Sequence, residues 1–181
     1  MATERERGRP EDSNPRGQFE IGSASGKHMK WKHPPIIKIY EALGSVADNR
    51  IEVSGNAAKI YSSSRNKFYE VFSDSEKQSI MANDNGSYWK GYLGYPAIAF
   101  LFKVGLLEFR PDMANLLKGI KWKDINQKFK SDFDKTLQYI EESLSAEDKE
   151  KLSAYVQEID QKITELDLNL LGNKTAPPEG Y

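Results

Sequence analysis

The chain has 181 residues, 38% apolar and 29% charged, with 26 Lys and Arg against 27 Asp and Glu, two histidines and no cysteine. That length fits one domain, or one with an appendage, and the near-balance of charge excludes a histone-like polycation or an acidic tail protein. Without cysteine there is no disulfide framework, catalytic thiol, iron–sulfur cluster or thiolate zinc site, and the longest apolar run, Tyr95 to Leu107, is interrupted by Lys103 and too short to cross a bilayer.

Residues 1–28 are polar and rich in Gly, Pro and Ser, with Phe19 and Ile21 as their sizeable apolar side chains and opposite charges in balance. Such a stretch cannot offset its ordering entropy, so it is expected to be a disordered leader, either native or left by cloning at His28-Met29, and it has no apolar signal core. From Pro34-Pro35 onward Ile36, Ile37, Ile39, Tyr40, Leu43, Val46 and Ala47 recur at helical spacing, which predicts an amphipathic helix over about 35–48. Short β-branched and aromatic runs follow at 50–53, 57–62, 67–72 and 78–82, separated by turn residues, and predict a small antiparallel meander. Alternation puts Ile60 opposite Lys59 and Tyr61, and sets Tyr69 and Val71 against Phe68 and Glu70.

After the turn Asn83 to Gly86, Pro96 and Gly105 frame a short helix that is apolar on nearly every side, expected at the centre of the core. Pro111 to Leu117 predicts another short helix. From Trp122 to Leu144, and again from Ser145 to Leu170, apolar residues recur at steps of three and four, which predicts two long helices folded back antiparallel. Residues 29–120 carry 12 Lys and Arg against 9 Asp and Glu, whereas 121–181 carry 9 against 13. The expected architecture is therefore α+β: an α+β domain over 29–120, a helical hairpin over 121–171 on the same core, and a flexible tail over 172–181.

Catalytic constellations do not stand out. His28 and His33 are too few for a metal site, so neither metal nor cofactor is expected. Asp84 between Asn83 and Asn85 reads as a turn, because the ligand series of a calcium loop is missing. Gly86, Gly91 and Gly94 alternate with large aromatics rather than with the small residues of a phosphate cradle. The most suggestive stretch is Tyr88, Trp89, Lys90, Tyr92 and Tyr95, where rings interleave with a cation as on surfaces that stack single-stranded bases. Lys59, Arg65 and Lys67 on the neighbouring hairpin would extend it into a basic aromatic face; the competing reading places the rings in the core.

The order strand, turn, strand, polar knuckle and short apolar helix over Ala57 to Gly105 resembles the ββα module of SWIM-type zinc fingers. Asn83-x-Asn85 stands near the family's first ligand pair, Gly94-x-Pro96 at its second, and Ala97 to Gly105 resembles its helix, with all four metal ligands absent. The resemblance implies a metal-free relative whose knuckle is held by the Asn/Asp turn and the aromatics, and a bias toward contacting nucleic acid or protein.

The leading expectation is a soluble, cytoplasmic, non-enzymatic binding module for protein or single-stranded nucleic acid, without a membrane association. One alternative is a structural protein that self-associates through the C-terminal helices; another is a cofactor-free enzyme whose site is assembled from distant carboxylates, tyrosines or lysines and shows only in the fold.

Overall fold

A computed structural model describes residues 29–179; the leader expected over 1–28 lies outside the described residues. The architecture is α+β. Helix α1 (Ile37–Ala47) follows Pro34 and Pro35 and ends where Asn49 takes a left-handed backbone (φ 55°). Four strands then form the expected meander: β1 (Ile51–Ser54), β2 (Ala57–Tyr61), β3 (Phe68–Asp74) and β4 (Ser79–Ala82), in the order of the chain. Its antiparallel register pairs Ile51 with Ile60, Ala58 with Val71, Ile60 with Tyr69 and Val71 with Ala82. These residues are buried, while Lys59, Phe68 and Phe72 point to the solvent side, as period-two alternation requires.

After a single π-helical turn (Gly86–Lys90) comes α2 (Tyr95–Lys103), in which every residue from Pro96 to Phe102 is buried. It can be apolar all round because the sheet covers one side and α1 the other. On its far side α1 meets α3 (Pro111–Asn115) and α6 (Ala146–Leu166), so the layers run sheet, α2, α1, outer helices around one apolar cluster.

The last third departs from the expected long helix over 122–144. Two shorter helices stand there, α4 (Trp122–Lys128) and α5 (Phe133–Glu141). Between them Lys130 and Ser131 adopt positive φ (51° and 62°), and the Asp132 carboxylate accepts the Lys135 backbone N–H at 3.2 Å, a new helix start inside an unbroken apolar period. By contrast α6 opens on the Ser145 cap, which accepts the Asp148 N–H, and buries Leu152, Val156, Ile159 and Ile163. It stops at Asp167 (φ 45°), so Leu170 leaves the helical seam and enters a two-residue strand, β5 (Asn169–Leu170), parallel to β4. The entering chain closes on this edge: the Trp31 N–H donates to Leu168 O at 3.2 Å and its indole N–H to Ile80 O at 2.9 Å.

Tyr155 anchors α6. Its hydroxyl donates to Glu108 O at 2.7 Å and accepts the Arg110 N–H at 3.2 Å, and burial pushes the phenol up to about 12. Tyr155→Phe removes two part-buried hydrogen bonds and is expected to cost about 1 kcal/mol in chemical denaturation, without altering the helical circular dichroism.

Candidate functional site

Two charged residues one turn apart interrupt the buried surface of α1. Glu41 is 3% exposed, and both its oxygens are engaged: Oε2 with the Lys38 ammonium at 2.9 Å and Oε1 with the Asn126 amide N–H at 2.8 Å. Lys38 also stands 4.8 Å above the Phe133 ring. Burial works against the Lys38 charge, but the fields of Glu41, Tyr92 and Asp84 together with the Glu41 hydrogen bond outweigh it and hold the amine above its ordinary value. Lys38 is thus a fixed cation rather than a proton acceptor.

Asp84 arrives from the other side, immediately after β4. Asn83 fixes the chain by accepting the Glu70 N–H at 2.7 Å, and the Asp84 carboxylate then accepts both the Ser87 N–H at 3.1 Å and the Ser87 hydroxyl at 2.5 Å. The Ser87 oxygen in turn accepts the Gly94 N–H at 3.1 Å, which ties the π-helical turn to the start of α2. A side chain at Gly94 would overlap the Asp84 carboxylate, and one at Gly86 would overlap the Tyr92 ring, so glycine is required at both places for close approach. Burial raises the Asp84 pKa even though its hydrogen bonds to Ser87 and the Lys38 charge favour the anion.

Arg50, 2% exposed, completes the charged set from the segment before β1, donating to Tyr61 O at 2.7 Å and reaching Asp48 at 3.4 Å. It also hydrogen-bonds Tyr95, whose phenol burial drives far upward. Tyr95 meets Tyr69 edge-on at 6.0 Å. Lys38, Glu41, Arg50, Asp84, Tyr69 and Tyr95 thereby face one polar cavity of about 210 Å³, closed by Trp122 and Asn126 of α4 and edged by Ser62, Ser63 and Lys123. The indole N–H of Trp122 and the side-chain oxygen of Asn126 are buried without a partner. Gly44 of α1 leaves the room in which that indole nitrogen sits.

The eight residues singled out in the sequence divide among several places. Trp89 is 72% exposed, with Lys90 exposed beside it and the half-buried Tyr88 against it at 4.7 Å. Tyr92 covers Gly86, and Tyr95 belongs to the cavity wall. Lys67 is buried, its ammonium 5.1 Å from the Tyr69 ring centre. Lys59 lies over Phe68 on the outer face of the sheet, and Arg65 caps the α1 terminus by donating to Asp48 O at 2.8 Å. Lys38, Glu41 and Arg50 were not anticipated and Asp84 was read as a turn; the apolar period of α1 puts Lys38 and Glu41 on its polar face, and their enclosure comes from α4, α5 and the segment after β4.

Among the described residues no group of three or more His, Cys, Asp or Glu could hold a metal, and no helix is long and apolar enough to cross a membrane. A family model described as Uncharacterised conserved protein UCP014422 matches residues 31–169, a span that contains every residue of the cavity. No curated protein and no solved structure matches the chain.

Two outcomes follow from this geometry. Because the folded-state pKa of Asp84 is raised, its contribution to stability is present below the ordinary carboxylate value of 3.8 and is lost as pH rises through the folded value. The stability of the natural protein relative to Asp84→Asn, measured by urea denaturation, should therefore fall as pH rises above about 4. Trp89→Ala, at an exposed ring, should change stability by less than ~0.5 kcal/mol in the same assay.

Proposed function

We propose that the chain, which belongs to the family matched above, binds a small oxyanion-bearing molecule, a carboxylate or a phosphate, in the polar cavity and performs general-acid chemistry on it. The observation that carries this reading is the convergence of Lys38, Glu41, Arg50, Asp84 and Tyr95, from four separate stretches of chain, on one concave space. Taking ions out of water costs several kcal/mol each, and well-packed apolar substitutes are often as stable or more so. A purely structural role for so many buried ionisable groups is therefore expensive, and perturbed groups gathered in a cleft mark functional sites.

Each group has a distinct part. Arg50 and Lys38 supply fixed positive charge for the oxyanion, Lys38 steadied by Glu41 and Glu41 by Asn126. Asp84, with its raised pKa, retains a proton to higher pH than an exposed carboxylate and can hand it to a ligand oxygen. Tyr95, its phenol held protonated by burial, is a second donor. This corresponds to the cofactor-free enzyme among the expectations drawn from the sequence.

Calorimetric titration with small carboxylates and phosphate esters tests it. An anion entering beside Asp84 disfavours its ionised form, so binding should take up protons over the pH range in which Asp84 titrates, seen as an enthalpy that depends on the buffer. Asp84→Asn should bind without that uptake, and Arg50→Met should weaken binding at least about ten-fold, the effect of removing one partner of a buried charge pair. Saturation by no carboxylate or phosphate, or unchanged affinity in Arg50→Met, refutes the reading.

A contact surface for protein or single-stranded nucleic acid is the second reading, supported by the exposure of the Trp89 ring next to Lys90. Oligonucleotide binding that weakens steeply between about 50 and 200 mM salt and is lost in Trp89→Ala would favour it.

A further inference from the structure

The outer face of the meander, turned away from α2, is not the polar surface that a one-sided antiparallel sheet usually presents to water. Tyr61, Phe68 and Phe72 stand on it, and the two phenylalanines are 38% and 40% exposed. Between the rings runs a row of charges, Glu52, Lys59 and Glu70, aligned across β1, β2 and β3 by the strand register. Among the described residues none of the three is held in an ion pair. The Lys59 ammonium lies instead 4.8 Å from the centre of the Phe68 ring, and Glu52 accepts from the Tyr61 hydroxyl at 3.5 Å. Beside Ala57 the face has a hollow of about 420 Å³, edged by Glu52, Lys59, Glu70 and Phe72.

Sheets stack about 10 Å apart with their strands within about 30° of one another. Two copies of one face can meet in this way about a two-fold axis lying between the sheets, running either across the strands or along them. An axis across the strands lays β2 on its own copy. Centred on the charge row it sets Lys59 against Lys59, and shifted along the strands it sets the charges against rings, so neither version is favourable.

An axis along the strands, between β2 and β3, lays each β2 on the β3 of the second copy. The register then decides what meets: Lys59 faces Glu70, Ala57 faces Phe72 and Tyr61 faces Phe68, each contact occurring twice. Opposite charges oppose one another, rings lie on rings, and the Phe72 side chain has the hollow beside Ala57 to enter. The face is thus complementary to itself in charge and in size, which is what a symmetric interface between identical chains requires.

We propose that this face binds a second copy of the chain, giving a two-fold dimer held by reciprocal Lys59–Glu70 pairs between layers of aromatic rings. Strands about 4.8 Å apart, the longest of seven residues, make a small interface, so the dimer is weak and reversible. The polar cavity lies on the other side of the sheet, and either assignment stands without the other.

Sedimentation velocity on the full chain from about 1 μM to about 1 mM, a range that spans weak affinities, should show a reversible passage from monomer to dimer. Phe72→Glu should weaken the dimer at least about ten-fold, because a carboxylate then stands where the ring is covered, and should leave the melting temperature in dilute solution unchanged. Lys59→Glu alone and Glu70→Lys alone should each weaken it to a similar extent, since each sets like charges face to face. Mixed in equal amounts, these two charge variants should recover a dimer of natural affinity, because each reversed residue then faces the reversed residue of the other chain. Mixing changes neither the fold nor the cross-strand neighbours within a chain, so the recovery reads the contact between copies alone. A strict monomer at the highest concentration overturns the assignment. So does a dimer indifferent to Phe72→Glu, which would place self-association on another surface such as the C-terminal helices. Charge variants that dimerise like the natural chain when separate, or that stay monomeric when mixed, overturn it as well.

Discussion

Removing a lysine and a glutamate from water on α1, an inner helix, is the constraint around which the rest of the molecule is arranged. The cost of desolvating Lys38 and Glu41 is offset only if their remaining hydrogen-bonding capacity is met in fixed geometry. One partner comes from α4 through Asn126, another contact from α5 through the Phe133 ring, and the surrounding field from Asp84 and Tyr92 beyond β4. The outer helices are thereby tied to α1 by polar as well as apolar contacts. The break between α4 and α5 belongs to this arrangement, because a single straight helix would continue along one axis instead of turning between Asn126 and Phe133.

The rigid side of the site is built from backbone rather than from long side chains. Asn83, Asp84, Ser87 and Gly94 form a chain of hydrogen bonds that runs from β3 across the π-helical turn to the first turn of α2. Close approach at Gly86 and Gly94 leaves no slack in it. A single π turn is uncommon and recurs at functional places, where it shifts the side chains that follow relative to an α-helical path. Here it turns Trp89 outward while Tyr92 and Tyr95 turn in. A short aromatic segment thus contributes to two different surfaces.

Much of the fold was legible in the sequence, and the parts that were not share a physical reason. Period two separated Ile60 from Lys59 and Tyr61, and Tyr69 and Val71 from Phe68 and Glu70, because a half-buried meander leaves one face in water. Pro96 and Gly105 correctly bracketed α2. The division at 129–132 was hidden because Phe129, Phe133 and Leu137 keep helical spacing across it; the Ser131-Asp132 cap was the single local sign. Strand β5 could not be read from two residues whose conformation is set by the neighbouring edge of β4. The polar cavity was the least legible, since its members are scattered from Lys38 to Asn126 and no spacing rule links them. Asp84 reads locally as a turn residue, and it is one; its burial comes from α2 and α1 closing over it.

Two cavities adjoin α2, the polar one at its start and an apolar hollow of about 450 Å³ at its end, and the helix itself accounts for their opposite character. It is about 13 Å long at nine residues and is packed on all sides, so its two ends sit in fixed relation. At the N-terminal end, free backbone N–H groups and the positive pole of the helix favour a polar, anion-compatible setting, and there the Gly94 N–H leads through Ser87 to Asp84. At the C-terminal end the last carbonyls are satisfied locally: Phe100 O by Val104, Leu101 O by Leu106 and Leu107, and Phe102 O by Gly105. With those acceptors occupied, the side chains of Phe100, Leu101 and Val104 can face a hollow with little polar lining, and the negative pole of the helix is not left exposed within it. The capping pattern of one buried helix therefore explains why polar chemistry gathers at its start and an apolar pocket opens at its end.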